Sequence, residues 1–459
     1  MDTDVAIVGG GIAGLAAAYE LHRRGLAFVL LEAQPCWGGV VRTVRTDGFL
    51  LEGGPDAFIA QKPEALALCR ELGLEGSLVG SNTENRTVFL LRKGRLVPMP
   101  EGLALGVPTR LAPMARSPLI SWPGKARMAL DLVLPRRRGS GDESVAEFFR
   151  RRLGREALAR LADPLLGAIH GGDPERMSLR AVLPRMAELE DRHRSLLLGL
   201  RRARSPRPTS AAPAFYSLRG GLIELVNALV ARLPRESLRA GTAVRSARVA
   251  VGSAVVETAA GDVRARAIVL AVPPKVAAEL LGPLDSEAER LLSSVPVSSS
   301  VTVHLAYRRE DVAHPLDGHG LLVPRDEGLR CVACGFASTK FPGRAPTGHV
   351  LLRGAVGGMR DPQAAQLDER ALVDLVHTEM SGPLGLRARP VLARAFRWPD
   401  ATPQMEVGHL ERVARLEEQL TRIPGIFVTG GGLRGVGLPD VIGDARRTAA
   451  QAAASIARS

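Results

Sequence analysis

The sequence predicts an α/β fold interrupted by a mainly helical insertion, and three observations lead there. A short apolar strand at 5–8 runs straight into a glycine-rich turn and a helix. Alternating, β-branched segments gather in the second half of the chain. Between Arg92 and Pro208 the composition changes to proline-rich connections followed by helical patterns. A turn of that kind directly after a strand is a local signal, and alternation marks half-buried strands.

In order along the chain, residues 5–8 read as a strand, 12–24 as a helix and 27–31 as a second strand. This is a strand–turn–helix–strand unit of the Rossmann kind. Pro98, Pro100, Pro108, Pro113, Pro118 and Pro123 break the next stretch into connections, and helices are expected at 144–153 and 156–166. The Arg-, Pro- and Ser-rich residues 201–213 read as an exposed connection. An amphipathic helix follows at 222–233, then strands at 243–251, 254–258 and 267–272. Segments 295–307, 320–323 and 349–356 have the character of a second, mixed sheet. A helix at 372–380, a strand at 426–429 and an Ala-rich helix at 440–456 complete the reading.

At 459 residues the length suggests about three domains. Apolar residues make up 46% and charged residues 24%, a globular balance. No apolar run reaches the roughly 18 residues of a spanning helix, and Met1-Asp2-Thr3-Asp4 lacks the basic start of a signal peptide. Four cysteines (Cys36, Cys69, Cys331, Cys334) form no disulfide framework, so a reducing cytoplasm is expected. Cys331-Val332-Ala333-Cys334 has no second pair, and no metal site is expected. The net charge is +13, yet 92–208 holds 24 basic against 12 acidic residues. One segment therefore carries nearly all the excess, which suits nucleic acid, an anionic membrane surface or an acidic ligand. With 4% aromatics and no nucleic-acid motif, a nucleic-acid partner is not expected.

Gly9-Gly10-Gly11-Ile12-Ala13-Gly14 matches G-x-G-x-x-G between a strand and a helix. The chain must turn tightly there and let its backbone approach a pyrophosphate at the helix N-terminus. Glu32 ends the second strand, where a carboxylate can accept hydrogen bonds from a ribose. Gly38-Gly39 and, far away, Gly430-Gly431-Gly432 with Gly435-Val436-Gly437-Leu438 suggest a long cofactor crossing distant parts of the chain.

Leu31-Glu32-Ala33 with Gly38-Gly39, then Leu51-Glu52-Gly53-Gly54-Pro55, resembles the FAD-dependent amine oxidase superfamily. Within it the chain is most similar to the oxygen-dependent protoporphyrinogen oxidases. The resemblance runs through Glu84-Asn85-Arg86, Gly171-Gly172-Asp173-Pro174, Leu218-Arg219-Gly220-Gly221-Leu222, Gly320-Leu321-Leu322-Val323-Pro324 and Phe396-Arg397-Trp398-Pro399. It implies a discontinuous FAD-binding domain (1–84, 218–284 and 420–459), a mixed-sheet substrate domain (85–92, 201–217 and 285–419) and a helical membrane-facing insertion (93–200). It also implies non-covalent FAD held by Gly9, Gly10, Gly11, Ile12, Ala13, Gly14, Glu32, Gly39, Val40, Gly54, Pro55, Asp56, Ala57, Val244, Trp398, Val436, Gly437 and Leu438. The substrate would meet Arg86, Ala168, Leu322 and Ala355.

The activity so implied is oxidation of protoporphyrinogen IX to protoporphyrin IX, in haem and porphyrin biosynthesis. Six hydrogens leave in three flavin cycles, with oxygen as acceptor and peroxide as product. No acid or base residue is identified. Arg86 is the candidate grip for a propionate, because a guanidinium binds a carboxylate bidentately. Coproporphyrinogen III stands as the alternative substrate, another amine-oxidase-type activity as a second, and a lipid-binding carrier as a non-enzyme reading. The expected partners are a tetrapyrrole, molecular oxygen and an anionic membrane, at a cytoplasmic, membrane-peripheral location. The reading leaves a homodimer open.

Overall fold

The computed structural model describes residues 2–104, 106–137, 139, 141–202, 212–250 and 253–458. Strand Asp2–Val8 runs through the first sheet, and Val5 to Val8 are buried. It pairs in parallel with Phe28–Leu31 on one side and Val263–Leu270 on the other. Leu238–Arg239 extends the sheet beyond Phe28–Leu31, and Ile426–Val428 pairs in parallel with Val263–Leu270. The hairpin Val244–Ala250/Ser253–Thr258 closes the far edge. Parallel strands must be covered on both faces. Helices Ile12–Arg23, Ile223–Arg232 and Leu438–Arg458 cover one face, and Pro274–Leu281 with Ser286–Ser293 cover the other. One sheet is thus assembled from the two ends of the chain and a middle stretch.

The second sheet runs, in spatial order, Leu392–Pro403, Val297–Arg308, His349–Gly357, Cys331–Phe336, Gly318–Leu322, Thr87–Arg92 and Arg95–Pro98. All neighbours are antiparallel except Gly318–Leu322 beside Thr87–Arg92. Helix Glu369–Leu384 covers one face. At its Thr87–Arg92 end, the other face meets the helical insertion through Leu90 and Leu322.

The insertion is organised by a buried ion pair. Arg152 and Asp131 are fully buried, and Arg152 Nε donates to Asp131 Oδ1 at 2.7 Å. Ser195 Oγ and the Leu197 N–H satisfy Asp131 Oδ2 at 2.6 and 3.0 Å. A buried pair persists only when its remaining valences are filled this way. Among the described residues no helix is long and apolar enough to cross a membrane.

Several elements differ from the sequence reading. The helix expected at 156–166 is a short turn at Arg155–Ala157, a wide five-residue π-turn at Leu158–Ala162, then helix Asp163–His170. Helices Pro63–Glu71, Pro274–Leu281, Ser286–Ser293 and His409–Leu420 and strand Leu392–Pro403 were not expected. The packing also draws domain borders elsewhere. A border at 92/93 would cut the hairpin Thr87–Arg92/Arg95–Pro98. Ser286–Ser293 and His409–Leu420 pack into the core of the first sheet through Leu291, Leu292 and Leu416, not into the second. Phe215–Leu218 pairs with Phe58–Ile59 and Leu78–Gly80 of the N-terminal stretch. Most of the expected connection at 201–213 lies outside the described residues.

Candidate functional site

The glycine-rich turn is a cradle with one open position. A Cβ on Gly9 would lie 2.4 Å from Ala271 O, one on Gly10 would strike Trp37, and one on Gly14 would lie 1.8 Å from Gly9 O. On Gly11, the N-cap of helix Ile12–Arg23, a Cβ would meet nothing within 4 Å. Three glycines therefore serve chain packing, and Gly11 borders empty space at a helix N-terminus. That is the geometry an anionic group needs. Glu32 accepts from Gly10 N–H through Oε2 at 2.5 Å and from Gln34 N–H through Oε1 at 2.8 Å. Its carboxylate is thereby aimed at the mouth of the turn. Thr242 N–H donates to Glu32 O at 2.7 Å, which brings Val244 alongside.

The remaining expected cofactor residues continue from this cradle as one strip. Gly38 N–H donates to Gly10 O at 2.9 Å, and a Cβ on Gly39 would stand 3.3 Å from Gly11 Cα. Val40 O lies under Gly54, where a Cβ would come within 1.8 Å. Trp398 Nε1 donates to Gly53 O at 2.7 Å, and Arg353 donates to Gly54 O at 2.6 Å. From the other side, Gly430 stands over Ala13, and the 435–437 loop covers Asp440 in the first turn of Leu438–Arg458. Ile12 opens the helix after Gly11, and Pro55 and Ala57 lie in the stretch that follows Gly54. The Asp56 carboxylate pairs with Lys340 Nζ at 2.8 Å. Burial works against ionising it, but Lys340 and Arg353 outweigh burial and hold it below the usual carboxylate range.

Strand register builds the second half of the site. Leu322, Ala333, Ala355, Thr302 and Phe396 are cross-strand partners in one row. The next row on the same face runs Gly320, Gly335, Arg353 and His304. Small residues thus meet across three strands and leave a flat floor. Phe396 marks its cofactor end, because a Cβ on Gly53 would strike that ring. On Gly335 a Cβ would find no atom closer than 3.9 Å. Leu322 packs into the core of the insertion, where Ala168 of helix Asp163–His170 joins it. Leu322 and Ala168 therefore share one cluster, and Ala355 lies two strands from Leu322 in the same row. Ala333, Gly335 and Arg353 were missed, although period-two alternation from Ala355 would have put Arg353 on the same face.

At one edge of the floor lies a polar group of residues. Arg86 Nε donates to Thr83 O at 2.9 Å and Nη2 to Ala212 O at 3.0 Å. His319 Nε2 is 2.9 Å from Asn82 O. Burial above all, with Lys340 and Arg86, holds His319 below the ordinary imidazole range.

Under this site Glu52 is 3% exposed and accepts from Thr43 Oγ1 at 2.7 Å and Leu222 N–H at 2.8 Å. Burial dominates these favourable contacts and raises its carboxyl to about 7. The folded chain then holds a proton that the unfolded chain releases. Stability from Glu52 is full below the ordinary carboxylate range and is lost as pH rises through about 7. The amount is on the order of 3 kcal/mol. A Glu52→Gln variant is expected to gain in melting temperature over wild type on going from pH 5 to pH 8. A constant difference across that range would refute the assignment.

Comparison with known proteins fits these two halves. The model of flavin containing amine oxidoreductases matches residues 12–456. A Propionibacterium freudenreichii protein named coproporphyrinogen III oxidase is 37% identical, with 97% of this chain and 90% of that protein covered. The chloroplastic protoporphyrinogen oxidase of Nicotiana tabacum is 31% identical, covering 100% and 86%. A crystal structure from Exiguobacterium sp. 255-15, assigned as a protoporphyrinogen oxidase, superposes with a TM-score of 0.88 at 30% identity, covering 100% and 99%. The open position at Gly11, the carboxylate of Glu32 and the long strip fit a dinucleotide with a ring system at its far end. By sequence match, cradle and strip, this chain belongs to the FAD-dependent flavin-containing amine oxidoreductase family, in the branch of the porphyrinogen oxidases.

Proposed function

We propose that the chain oxidises a porphyrinogen to the porphyrin in haem biosynthesis, with oxygen as the final acceptor and peroxide as product. The observation that carries this reading is the flat floor of Leu322, Ala333, Gly335 and Ala355 beside the strip of Gly53, Gly54 and Trp398. A broad, largely apolar tetrapyrrole needs a wide floor without protruding side chains, and its reacting carbon must lie over the flavin. Bound FAD supplies the two-electron acceptor. The Gly9–Gly14 turn would receive its pyrophosphate, Glu32 its ribose and Val244 its adenine side. Gly39, Val40, Gly54, Trp398 and Val436 to Leu438 would flank its ring. Loss of six hydrogens takes three such cycles and three oxygen molecules. The side chains bind, orient and keep water from the floor, and none is assigned as acid or base.

For the substrate we take coproporphyrinogen III, with protoporphyrinogen IX as the second reading. The more similar of the two named relatives supports the first, and the apolar floor suits the second. Lys340, which acts on His319 together with Arg86, is a further cation that a four-carboxylate ring would use, since each buried carboxylate needs a partner. Appearance of porphyrin fluorescence from both substrates, on one preparation, decides it. The expected kcat/KM is about tenfold higher for coproporphyrinogen, the worth of one charged hydrogen bond. A ratio at or below one returns the assignment to protoporphyrinogen IX, and no oxidation of either ring removes the function.

Membrane contact is part of the same proposal. Trp122 and Val133 are 72% and 68% exposed, and Leu111, Leu130 and Leu132 are exposed near them in sequence. Arg110, Arg116, Lys125 and Arg127 lie among these residues. Apolar side chains set among cations suit shallow insertion into an anionic surface. This favours a peripheral site on the cytoplasmic side. The chain is expected to sediment with anionic vesicles at low salt and to be released at high salt. Equal sedimentation with neutral vesicles at both salt levels would remove the electrostatic part.

A further inference from the structure

Lys340 stands at the edge of the floor for a structural reason. The short helix Ala337–Lys340 follows directly on strand Cys331–Phe336, which contributes Ala333 and Gly335. The Lys340 side chain is largely buried, and its ammonium lies 4.9 Å from the centre of the Phe215 ring and 5.2 Å from that of Phe341. Among the described residues its one hydrogen-bond partner is Asp56 Oδ2. An ammonium has three protons to donate, so two remain.

The same few residues carry Arg86. Asn82 N–H donates to Lys340 O at 2.9 Å, and Asn82 Nδ2 donates to Thr339 O at 3.3 Å. Asn82 Oδ1 then accepts from the N–H groups of Glu84 and Asn85, which forms the turn leading into Arg86. One hydrogen-bonded unit therefore fixes both cations relative to each other. Arg353, on the adjacent strand, is committed to Gly54 O and to Thr302 Oγ1 at 3.4 Å. The nearby carboxylates are Asp56, already paired, and the exposed Glu84. The unspent donors of Lys340 thus adjoin an apolar floor whose edge otherwise lacks a fixed anion.

We propose that Lys340 anchors the substrate: its ammonium, steadied by Asp56, holds a carboxylate of the tetrapyrrole at the edge of the floor. The proposal rests on the reading of the floor as a porphyrinogen site. Phe215 and Phe341 limit where the ammonium can move, and Asp56 tethers it. Lys340 would touch a carboxylate and not the reacting carbon, so its contact is made equally in the ground and transition states. Loss of such a contact raises KM and spares kcat.

The test uses FAD-loaded protein and fluorescence titration with two porphyrins, coproporphyrin III and its tetramethyl ester. In wild type the free acid should bind more tightly than the ester. In Lys340→Met that preference should fall by about tenfold or more, with KM raised in the same proportion, and Lys340→Arg should restore most of it. The double variant Asp56→Asn/Lys340→Gln leaves no unpaired carboxylate behind and guards against loss of fold. It should show the same fall. If acid and ester keep their wild-type ratio in both neutral variants, Lys340 serves only to pair Asp56, and the proposal is overturned with the porphyrinogen reading intact. If wild type binds neither porphyrin and oxidises no porphyrinogen, both are overturned.

Discussion

A Gly11→Val variant is expected to fold and to purify without colour. Gly11 is extended, with φ −71° and ψ −177°, so a β-branched residue adopts its backbone without strain. A Cβ there meets nothing within 4 Å of the protein. Apo variant and apo wild type should therefore melt within a degree or two of each other. The added methyls occupy the space in front of the helix N-terminus, where the pyrophosphate must approach to reach the N–H groups. Overpacking of that kind costs about 1–3 kcal/mol, and the lost hydrogen bonds add to it. FAD affinity should fall by about a hundredfold or more. Gly14→Ala is the contrasting control. Its Cβ would lie 1.8 Å from Gly9 O, so the turn itself must shift and the apo protein should lose stability. Gly11→Val protein carrying a full complement of FAD would show that the pyrophosphate lies elsewhere.

That contrast also explains what could be read from the sequence. The cradle is local: turn, helix start and Glu32 lie within a few dozen residues, and their spacing is their signature. The edges of the first helix were likewise close to those observed, whereas the strand expected at 5–8 begins at Asp2. Strand Leu392–Pro403 escaped because Pro399 and Pro403 argue against a strand interior. Its position at the sheet edge removes the objection, since an edge tolerates a missing donor. Beyond the alternation that puts Arg353 on the face of Ala355, the floor could not be read from spacing. Leu322, Ala333 and Ala355 become neighbours only through the register of three strands. Gly335 contributes by having no side chain, which leaves no mark in a pattern of apolar residues. Lys340 and Arg353 hold Asp56 and Gly54, partners nearly three hundred positions away. The family resemblance supplied Leu322, Ala168 and Ala355, but it offered no reason to look at the small residues between them.

Gly335→Val separates the floor from the cradle. Gly335 lies in strand Cys331–Phe336, and valine suits a strand. A Cβ there would have no protein atom closer than 3.9 Å, so the variant should keep its fold and its FAD. What it loses is flatness. Gly335 adjoins Ala333 along the strand and faces Gly320 and Arg353 across it, so the valine stands up from the middle of the small-residue patch. A macrocycle laid on that patch is lifted or tilted by about the height of a methyl group, which moves its sp³ bridge carbon away from the flavin. Misplacement of a reacting carbon by about 1 Å costs on the order of a hundredfold in rate. The expected outcome is a yellow protein, reduced by dithionite like wild type, with kcat/KM for porphyrinogen down by about a hundredfold. The same change to alanine should cost less, because one methyl displaces the ring less than an isopropyl group. A Gly335→Val enzyme with wild-type turnover would place the ring on another surface, and the row from Leu322 to Phe396 would then be packing alone.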